Sequence, residues 1–579
     1  MNNSIFQIML YLIILVVLAI PLGKYIGKIM NGEKVFLSKI LEPCENGIYK
    51  LLRINKEEDM TWKKYSITLL LFSGVCFVFL FLLHMLQGVL PLNPENVEGT
   101  SWHLAFNNTA SFVSNTNWQS YAGESTLSYL TQMLGLTVQN FVSAAVGMSV
   151  LFALIRGFVR VKSNEIGNFW KDITRSILYV LLPISIVVSI GLASQGVVQS
   201  FKNYETVSLL EPITLEDGTV VKEAVVPLGP AASQVAIKQV GTNGGGFFGT
   251  NSAFPLENPN GFSNLLEMIS ILLIPASLCF TFGRNVGDRR QGKAIFLAMF
   301  IVLTLAIVGV YLSEQNGTPQ LAQDGLVNIT AIDQAGGNME GKEARFGIAT
   351  SSVWTAFTTA ASNGSVNAMH DSYTPFGGMI AMILMQLGEV IFGGVGCGLY
   401  GMICFAILTV FISGLMVGRT PEYLGKKIEP FEMKMAVIVC LATPVAILIG
   451  SGIATLIPSV VDSLNNSGAH GFSEILYAFS SAGGNNGSAF AGLNANTPFL
   501  NVSIGLVMLF VRFVPMIATL AIGGNLASKK KVATTEGTLC THNGMFVALL
   551  IFIVLLIGAL SFFPALSLGP IAEYFNMIH

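Results

Sequence analysis

Ten predominantly apolar runs divide the chain, at 5–26, 64–88, 127–155, 172–199, 262–283, 294–313, 374–417, 433–458, 500–526 and 544–564. A helix of about 20 apolar residues crosses about 30 Å of hydrocarbon, so each run is a candidate span. The seventh is too long for one crossing. Its middle, Gly388-Glu389-Val390-Ile391-Phe392-Gly393-Gly394-Val395-Gly396-Cys397-Gly398, is so rich in glycine that a broken helix is expected there.

Four long connections, all falling on one side if the spans alternate, carry Ser/Thr/Asn/Gly-rich sequence after a short, mildly amphipathic stretch. They contain Asn115-Thr116-Asn117-Trp118-Gln119, Gly241-Thr242-Asn243-Gly244-Gly245-Gly246, Ser362-Asn363-Gly364-Ser365 and Gly484-Asn485-Asn486-Gly487-Ser488. Aligning Asn117, Asn243, Asn363 and Asn486 gives separations of 126, 120 and 123 residues, a repeat with a period near 123. The expected fold is therefore an all-α polytopic membrane protein of four pseudo-repeated units, each a span, a short pore helix, a filter-like loop and a span. An extra N-terminal span (1–63 with its loop) and an extra C-terminal span (532–579) flank units at 64–160, 161–291, 292–425 and 426–531.

Composition agrees with lipid as the solvent: 52% of the 579 residues are hydrophobic and only 11% charged, with 59 Gly and 39 Phe. Of the 31 Lys and Arg, 25 lie in the connections 24–64, 156–175, 284–293, 419–434 and 529–531. The other side holds Lys202, Lys222, Lys238, Lys342 and Arg345, and Arg512 falls inside the ninth run. Basic residues concentrate on the cytoplasmic side, so both termini and the four polar loops are expected outside. The first run has no basic leader and is followed by Lys24, Lys28 and Lys34, which reads as a true span and not a cleaved signal. Seven scattered Cys imply no disulfide framework, and nothing in the net charge of -2 points to nucleic acid.

Irregular backbone at membrane depth leaves carbonyls unpaired, which lipid forbids unless they line a cavity or coordinate something. A ring of such carbonyls replaces the hydration shell of a weakly hydrated cation, and the carbonyl ends of the preceding helices add partial negative charge. Because the central motifs hold no acidic residue, a divalent-ion site is disfavoured and potassium or sodium remains. Candidate filter residues are Asn115, Thr116, Asn117, Gln119, Thr242, Asn243, Gly244, Ser362, Asn363, Gly364, Asn485, Asn486 and Gly487. Any one loop alone reads as a polar surface turn; four in register between spans do not. Glu124, Glu257 and Asp371 flank the loops and either concentrate cations at the mouth or form a solvated face. Glu389, within the broken seventh run, is a candidate because intramembrane charge is costly, and Arg512 stands out in an apolar run.

No Gly-Lys pair is followed by Ser or Thr and no Asp-Lys pair occurs, so neither a phosphate loop nor a phosphorylated Asp-Lys-Thr-Gly motif is present. The six histidines show no metal-ligand spacing. The chain is expected to bind no nucleotide and no covalent cofactor.

At Asn115-Thr116-Asn117-Trp118-Gln119-Ser120-Tyr121, the glycine-rich stretch 241–248 with Asn251-Ser252-Ala253, Asn367-Ala368-Met369-His370-Asp371-Ser372, Arg419-Thr420-Pro421-Glu422-Tyr423-Leu424-Gly425-Lys426 and Asn486-Gly487-Ser488-Ala489-Phe490-Ala491-Gly492, the sequence resembles the potassium-binding A subunits of bacterial Kdp-type potassium pumps. That family is similar in plan to potassium channels and Trk/Ktr/HKT transporters. The resemblance implies a non-catalytic subunit in the bacterial plasma membrane. It would select external K+ in the filter and pass it through an intramembrane tunnel to a P-type ATPase catalytic subunit (B). A single-span C subunit and a small F peptide are implied as further partners. Gly244, Gly364 and Gly487 match the family's filter glycines, with Trp118 standing where the other loops have Gly. The broken seventh run, with Glu389, Gly393, Gly394 and Gly396, would be a gate below the filter, and Arg419 would contact the gate or a partner. A stand-alone potassium channel or secondary transporter is the competing reading; a bare membrane anchor leaves four repeated loops unexplained.

Overall fold

The computed structural model describes residues 2–215, 217–318, 336–418, 421–533 and 538–578. Among the described residues, ten helices are long and apolar enough to cross a membrane: Ser4–Met30, Trp62–Val89, Thr131–Val159, Phe169–Ser194, Gly261–Asn285, Arg289–Asn316, Cys397–Met416, Pro430–Ala454, Pro498–Ser528 and Gly544–Ile578. All ten apolar runs of the sequence are found among them. Thr61, Asn260, Thr497 and Asn543 set where four of the spans begin, their side chains accepting backbone N–H groups of the first turn. In the seventh run, a short helix (Pro375–Gln386) stops, the chain loops through 387–396, and the span restarts at Cys397.

Four shorter helices enter the bundle from one face: Trp102–Val113, Ala231–Val240, Gly347–Ala360 and Gly468–Gly483. At about 1.5 Å per residue each reaches roughly 15–24 Å, about halfway through the hydrocarbon, before the chain turns back. Thr131–Val159 and Gly261–Asn285, which follow the first two of these helices, are 83% and 78% buried over their apolar cores, against 17% for the first span and 33% for the last. The spans that follow the re-entrant helices thus lie toward the centre of the molecule, and the first span, Trp62–Val89 and the last span lie toward its rim. The first span is held by close backbone approach: Thr281 Oγ1 donates to the Gly23 carbonyl at 2.9 Å, and a Cβ on Gly23 would collide with Ser277 O.

Among the described residues, sheet is confined to two hairpins. Glu205–Thr214 pairs antiparallel with Val220–Val226 in the connection ahead of the second re-entrant helix, and Glu422–Tyr423 pairs with Lys426–Lys427 on the basic face. The first hairpin is exposed on both faces. Its Val, Ile and Thr residues give β propensity without a core to cover.

Candidate functional site

Each re-entrant helix ends in a three-residue turn with one backbone signature. The first and third residues have positive φ: Asn115 (64°) and Asn117 (57°), Thr242 (49°) and Gly244 (86°), Ser362 (52°) and Gly364 (85°), Asn485 (43°) and Gly487 (97°). The structurally equivalent central residues are therefore Thr116, Asn243, Asn363 and Asn486. This corrects the sequence alignment: the first loop is displaced by one residue, and Asn117, not Trp118, occupies the place of Gly244, Gly364 and Gly487. Asn is among the few side chains that tolerate a left-handed backbone, so it substitutes for glycine there and hides the register. Trp118 falls opposite Gly245, Ser365 and Ser488.

The loops close on one another in chain order. A Cβ on Gly244 would collide with Asn363 O, one on Gly364 with Asn486 O, and one on Gly487 with Thr116 O. Between the first two loops, the Asn115 amide donates to Thr242 O (3.0 Å) and accepts from Asn243 Nδ2 (2.7 Å), while Cβ and Nδ2 of Asn117 lie 3.0 Å from the place of a Gly245 Cβ. Side chains serve as struts. Asn363 Nδ2 donates to Lys238 O (3.2 Å), Asn486 Nδ2 to Thr358 O (2.7 Å), Asn485 Nδ2 to Thr116 Oγ1 (2.9 Å) and Gln119 Nε2 to Gly246 O (3.1 Å).

Most of the amide groups are taken up by such contacts, Asn117 Oδ1 and Asn243 Oδ1 being buried without a partner among the described residues; the other oxygens left over are backbone. Thr116, Asn243, Asn363 and Asn486 are all fully buried. Among the described residues, no hydrogen-bond donor meets the main-chain carbonyl of any of the four. Buried carbonyls are almost always paired, so four unpaired ones on adjoining loops supply oxygens of the kind a dehydrated cation takes as ligands.

The glycine-rich break lies against this ring. Gly388 (φ 80°), Glu389 (62°), Phe392 (49°) and Gly396 (91°) all have left-handed backbones. The Val395 N–H donates to Thr242 Oγ1 at 2.8 Å, and the place of a Gly394 Cβ lies 3.7 Å from Thr242 Oγ1 and 3.8 Å from Asn115 Nδ2. Gly393 turns back on Glu389, whose carbonyl a Cβ would strike, and Gly396 packs on Gly147 O. Arg512 joins the segment to the ninth span, donating to Cys397 Sγ (2.7 Å) and Ser143 O (3.3 Å) with its Nη1 4.0 Å from Glu389 Oε2. Glu389, Cys397, Tyr400, Asn485 and Arg512 line a cavity of about 30 Å3, room for one or two waters. Arg419 lies outside the described residues.

Two of the acidic residues that flank the loops are buried and paired, not solvated. Glu257 is fully buried, ion-paired with the equally buried Lys238, so neither belongs to a solvated face. Asp371 is 9% exposed and accepts from His470 Nε2 at 2.9 Å, while Glu573 takes His470 Nδ1 at 2.8 Å. Burial depresses the His470 pKa, but the two carboxylates outweigh it and raise it to about 10. Glu474 brings a third carboxylate to this cluster, a grouping that the histidine spacing in sequence does not disclose. Lys342 is likewise buried, paired with Glu314 at 2.7 Å. One signal was available for Lys238: it is the one charged residue on the re-entrant helix Ala231–Val240.

Comparison with known proteins follows this geometry. A family model described as KdpA, potassium-transporting ATPase A subunit, matches residues 9–575. A protein of Clostridium botulinum (strain Alaska E43 / Type E3) named potassium-transporting ATPase potassium-binding subunit is 75% identical over 578 residues, covering 100% of both chains. Proteins of the same name from Clostridium perfringens and Desulfovibrio desulfuricans are 73% and 63% identical, again over the whole of both chains. The crystal structure of the potassium transporter TrkH from Vibrio parahaemolyticus superposes with a TM-score of 0.51 at 14% identity, over 80% of this chain and 85% of that one, a likeness of fold. By family match and full-length identity, this chain belongs to the KdpA family, the A subunits of potassium-transporting ATPases.

Proposed function

We propose that this chain is the potassium-selecting and translocating subunit of an ATP-driven import complex. In this reading K+ enters from the extracytoplasmic side, where both termini lie, and dehydrates in the ring of Thr116, Asn243, Asn363 and Asn486 carbonyls. The observation that carries it is those four buried, donor-free carbonyls. Preformed oxygens at fixed radius replace the hydration shell of a weakly hydrated monovalent ion, and the carbonyl ends of four converging helices add attraction without any carboxylate. The names of the relatives, potassium-binding subunits of potassium-transporting ATPases, supply the ion and the complex.

Beneath the ring, segment 387–396 stands in the way of a straight exit. Its bond from Val395 to Thr242 ties it to the filter, and Gly147 and Gly396 clamp it to the third span. The ion is therefore routed sideways, through an intramembrane tunnel to a P-type catalytic subunit (B) that hydrolyses ATP; a single-span C subunit and a small F peptide complete the complex. This chain contributes no nucleotide chemistry. The stand-alone channel or secondary transporter is disfavoured by the same obstruction. K+-stimulated ATP hydrolysis by the co-purified complex tests the reading. Gly244→Asp, which drives a carboxylate into Asn363 O, should raise the half-saturating K+ by orders of magnitude with assembly intact; an unchanged K+ dependence would sink the filter assignment, and sustained K+ flux through this chain alone would favour a channel.

A further inference from the structure

The three-residue turns differ in one respect. Among the described residues the carbonyls of Asn117, Gly364 and Gly487 accept no hydrogen bond, whereas Gly244 O accepts one from Asn251 Nδ2 at 2.8 Å. Asn251 is itself held in a left-handed conformation (φ 55°), and its Oδ1 receives the Lys238 ammonium at 2.7 Å. Lys238 Nζ also donates to Ser252 Oγ (2.9 Å) and to the Glu257 carboxylate, so its three protons meet three acceptors. Glu257 Oε2 in turn accepts from Phe248 N at 3.3 Å. Meanwhile the main-chain carbonyl of Lys238 receives the N–H groups of Asn243 (2.8 Å) and Gly244 (3.0 Å) as well as the Asn363 amide.

Lys238 therefore grips the second filter loop from both ends: its carbonyl fixes the N–H side, and its side chain, through Asn251, fixes a carbonyl. A buried ion pair is a poor source of stability, since desolvation offsets its attraction, and the geometry is better suited to enforcing one arrangement. Polarised by the ammonium, the Asn251 amide is a stronger donor than a neutral amide alone.

We infer that Lys238 and Asn251 are positioning residues for ion discrimination, a relay from Glu257 through Lys238 and Asn251 that pins the Gly244 carbonyl. The inference rests on the filter reading above. With the relay intact, the Gly244 carbonyl cannot swing inward when the ring empties or follow a larger ion outward. One quarter of the filter is thereby rigid, and the other three retain carbonyls free to adjust.

The test compares half-saturating K+ and Rb+ for ATP hydrolysis by the intact complex. Asn251→Ala removes the donor to Gly244 O; Asn251→Asp keeps a partner for Lys238 and replaces the donor by a repelling carboxylate; Lys238→Met keeps the stem and removes the charge. Each should change the Rb+-to-K+ ratio roughly threefold to tenfold, the scale of one polar contact. Lys238→Met with Asn251→Ala should do no more than Asn251→Ala alone. Asn258→Ala loosens the same loop through its bonds to Ser252 O (3.1 Å) and Asn264 Oδ1 (2.9 Å) without touching Gly244, and should leave the ratio unchanged. Gly244→Asp in the same assay separates the two claims. If it raises half-saturating K+ while Asn251→Ala and Asn251→Asp keep the wild-type ratio, the relay is refuted and the filter stands. Should Gly244→Asp also be silent, the filter fails and the relay with it. Lys238→Met failing to assemble leaves the two Asn251 variants to decide.

Discussion

Gly487→Ala probes the ring more finely than a charged substitution, because it adds one methyl group at the seam between the fourth and first loops. Gly487 has φ 97°, and its Cβ would collide with Thr116 O while lying 3.0 Å from Thr116 C and 3.1 Å from Asn117 C. A left-handed backbone costs Ala about 1 kcal/mol over Gly. Overpacking against the backbone of the first loop adds about 2 kcal/mol. Thr116 O belongs to the ring, so the methyl is accommodated only by displacing an oxygen proposed to bind the ion. If most of that strain, about 3 kcal/mol, falls on the ion-bound state, half-saturating K+ rises roughly hundredfold. Gly468→Ala isolates the backbone contribution: φ is 68° there, but no atom lies within 4 Å of its Cβ, and it stands at the far end of the fourth re-entrant helix. It should lower the thermal midpoint slightly and leave the K+ dependence within about twofold, given a strain of about 1 kcal/mol remote from the ring. K+-stimulated ATP hydrolysis by the assembled complex reads both variants. Equal half-saturation for Gly487→Ala and wild type, with assembly intact, would refute the claim that these carbonyls bind the ion.

Thr242→Val preserves shape but leaves the buried Val395 N–H unpaired, at about 1–3 kcal/mol; the segment below the filter should open more often, raising passive Rb+ leak through the complex severalfold. Arg512→Met leaves the largely buried Glu389 without its cation and should cost about 3–5 kcal/mol, seen as poor assembly or a lower thermal midpoint, whereas Arg512→Met with Glu389→Gln should recover most of it. The contact of His470 with Asp371 and Glu573 titrates with a raised pKa of about 10. Its stabilisation is therefore complete below the ordinary histidine range near 6.5 and disappears as pH rises through about 10. Thermal midpoints of wild type and His470→Gln should differ most at pH 6 and converge above pH 10; a difference that grows with pH would reverse the sign.

Much of this architecture is legible in sequence because lipid imposes simple rules. Span length is fixed by bilayer thickness, and a four-fold recurrence of polar loops needs a common explanation. The break in the seventh run is visible because Gly388, Gly393, Gly394 and Gly396 crowd together where a span should be continuous. What escaped has physical causes. Asn117 mimics glycine through its tolerance of positive φ, so matching asparagines set the first loop one residue out of register. Lys238, Glu257 and Lys342 read as surface charge because their partners lie up to 28 residues away in sequence, beyond any local pattern. The hairpin at 205–226 lies in a connection whose exposure leaves no periodic hydrophobic face to detect.

Anomalous scattering from Rb+ or Tl+ bound to the purified complex addresses the central claim most directly. A peak on the axis of the ring, within coordination distance of the Thr116, Asn243, Asn363 and Asn486 carbonyls and lost in Gly244→Asp, is the predicted result. Clear anomalous density elsewhere in the chain, with none at those four oxygens, would contradict it.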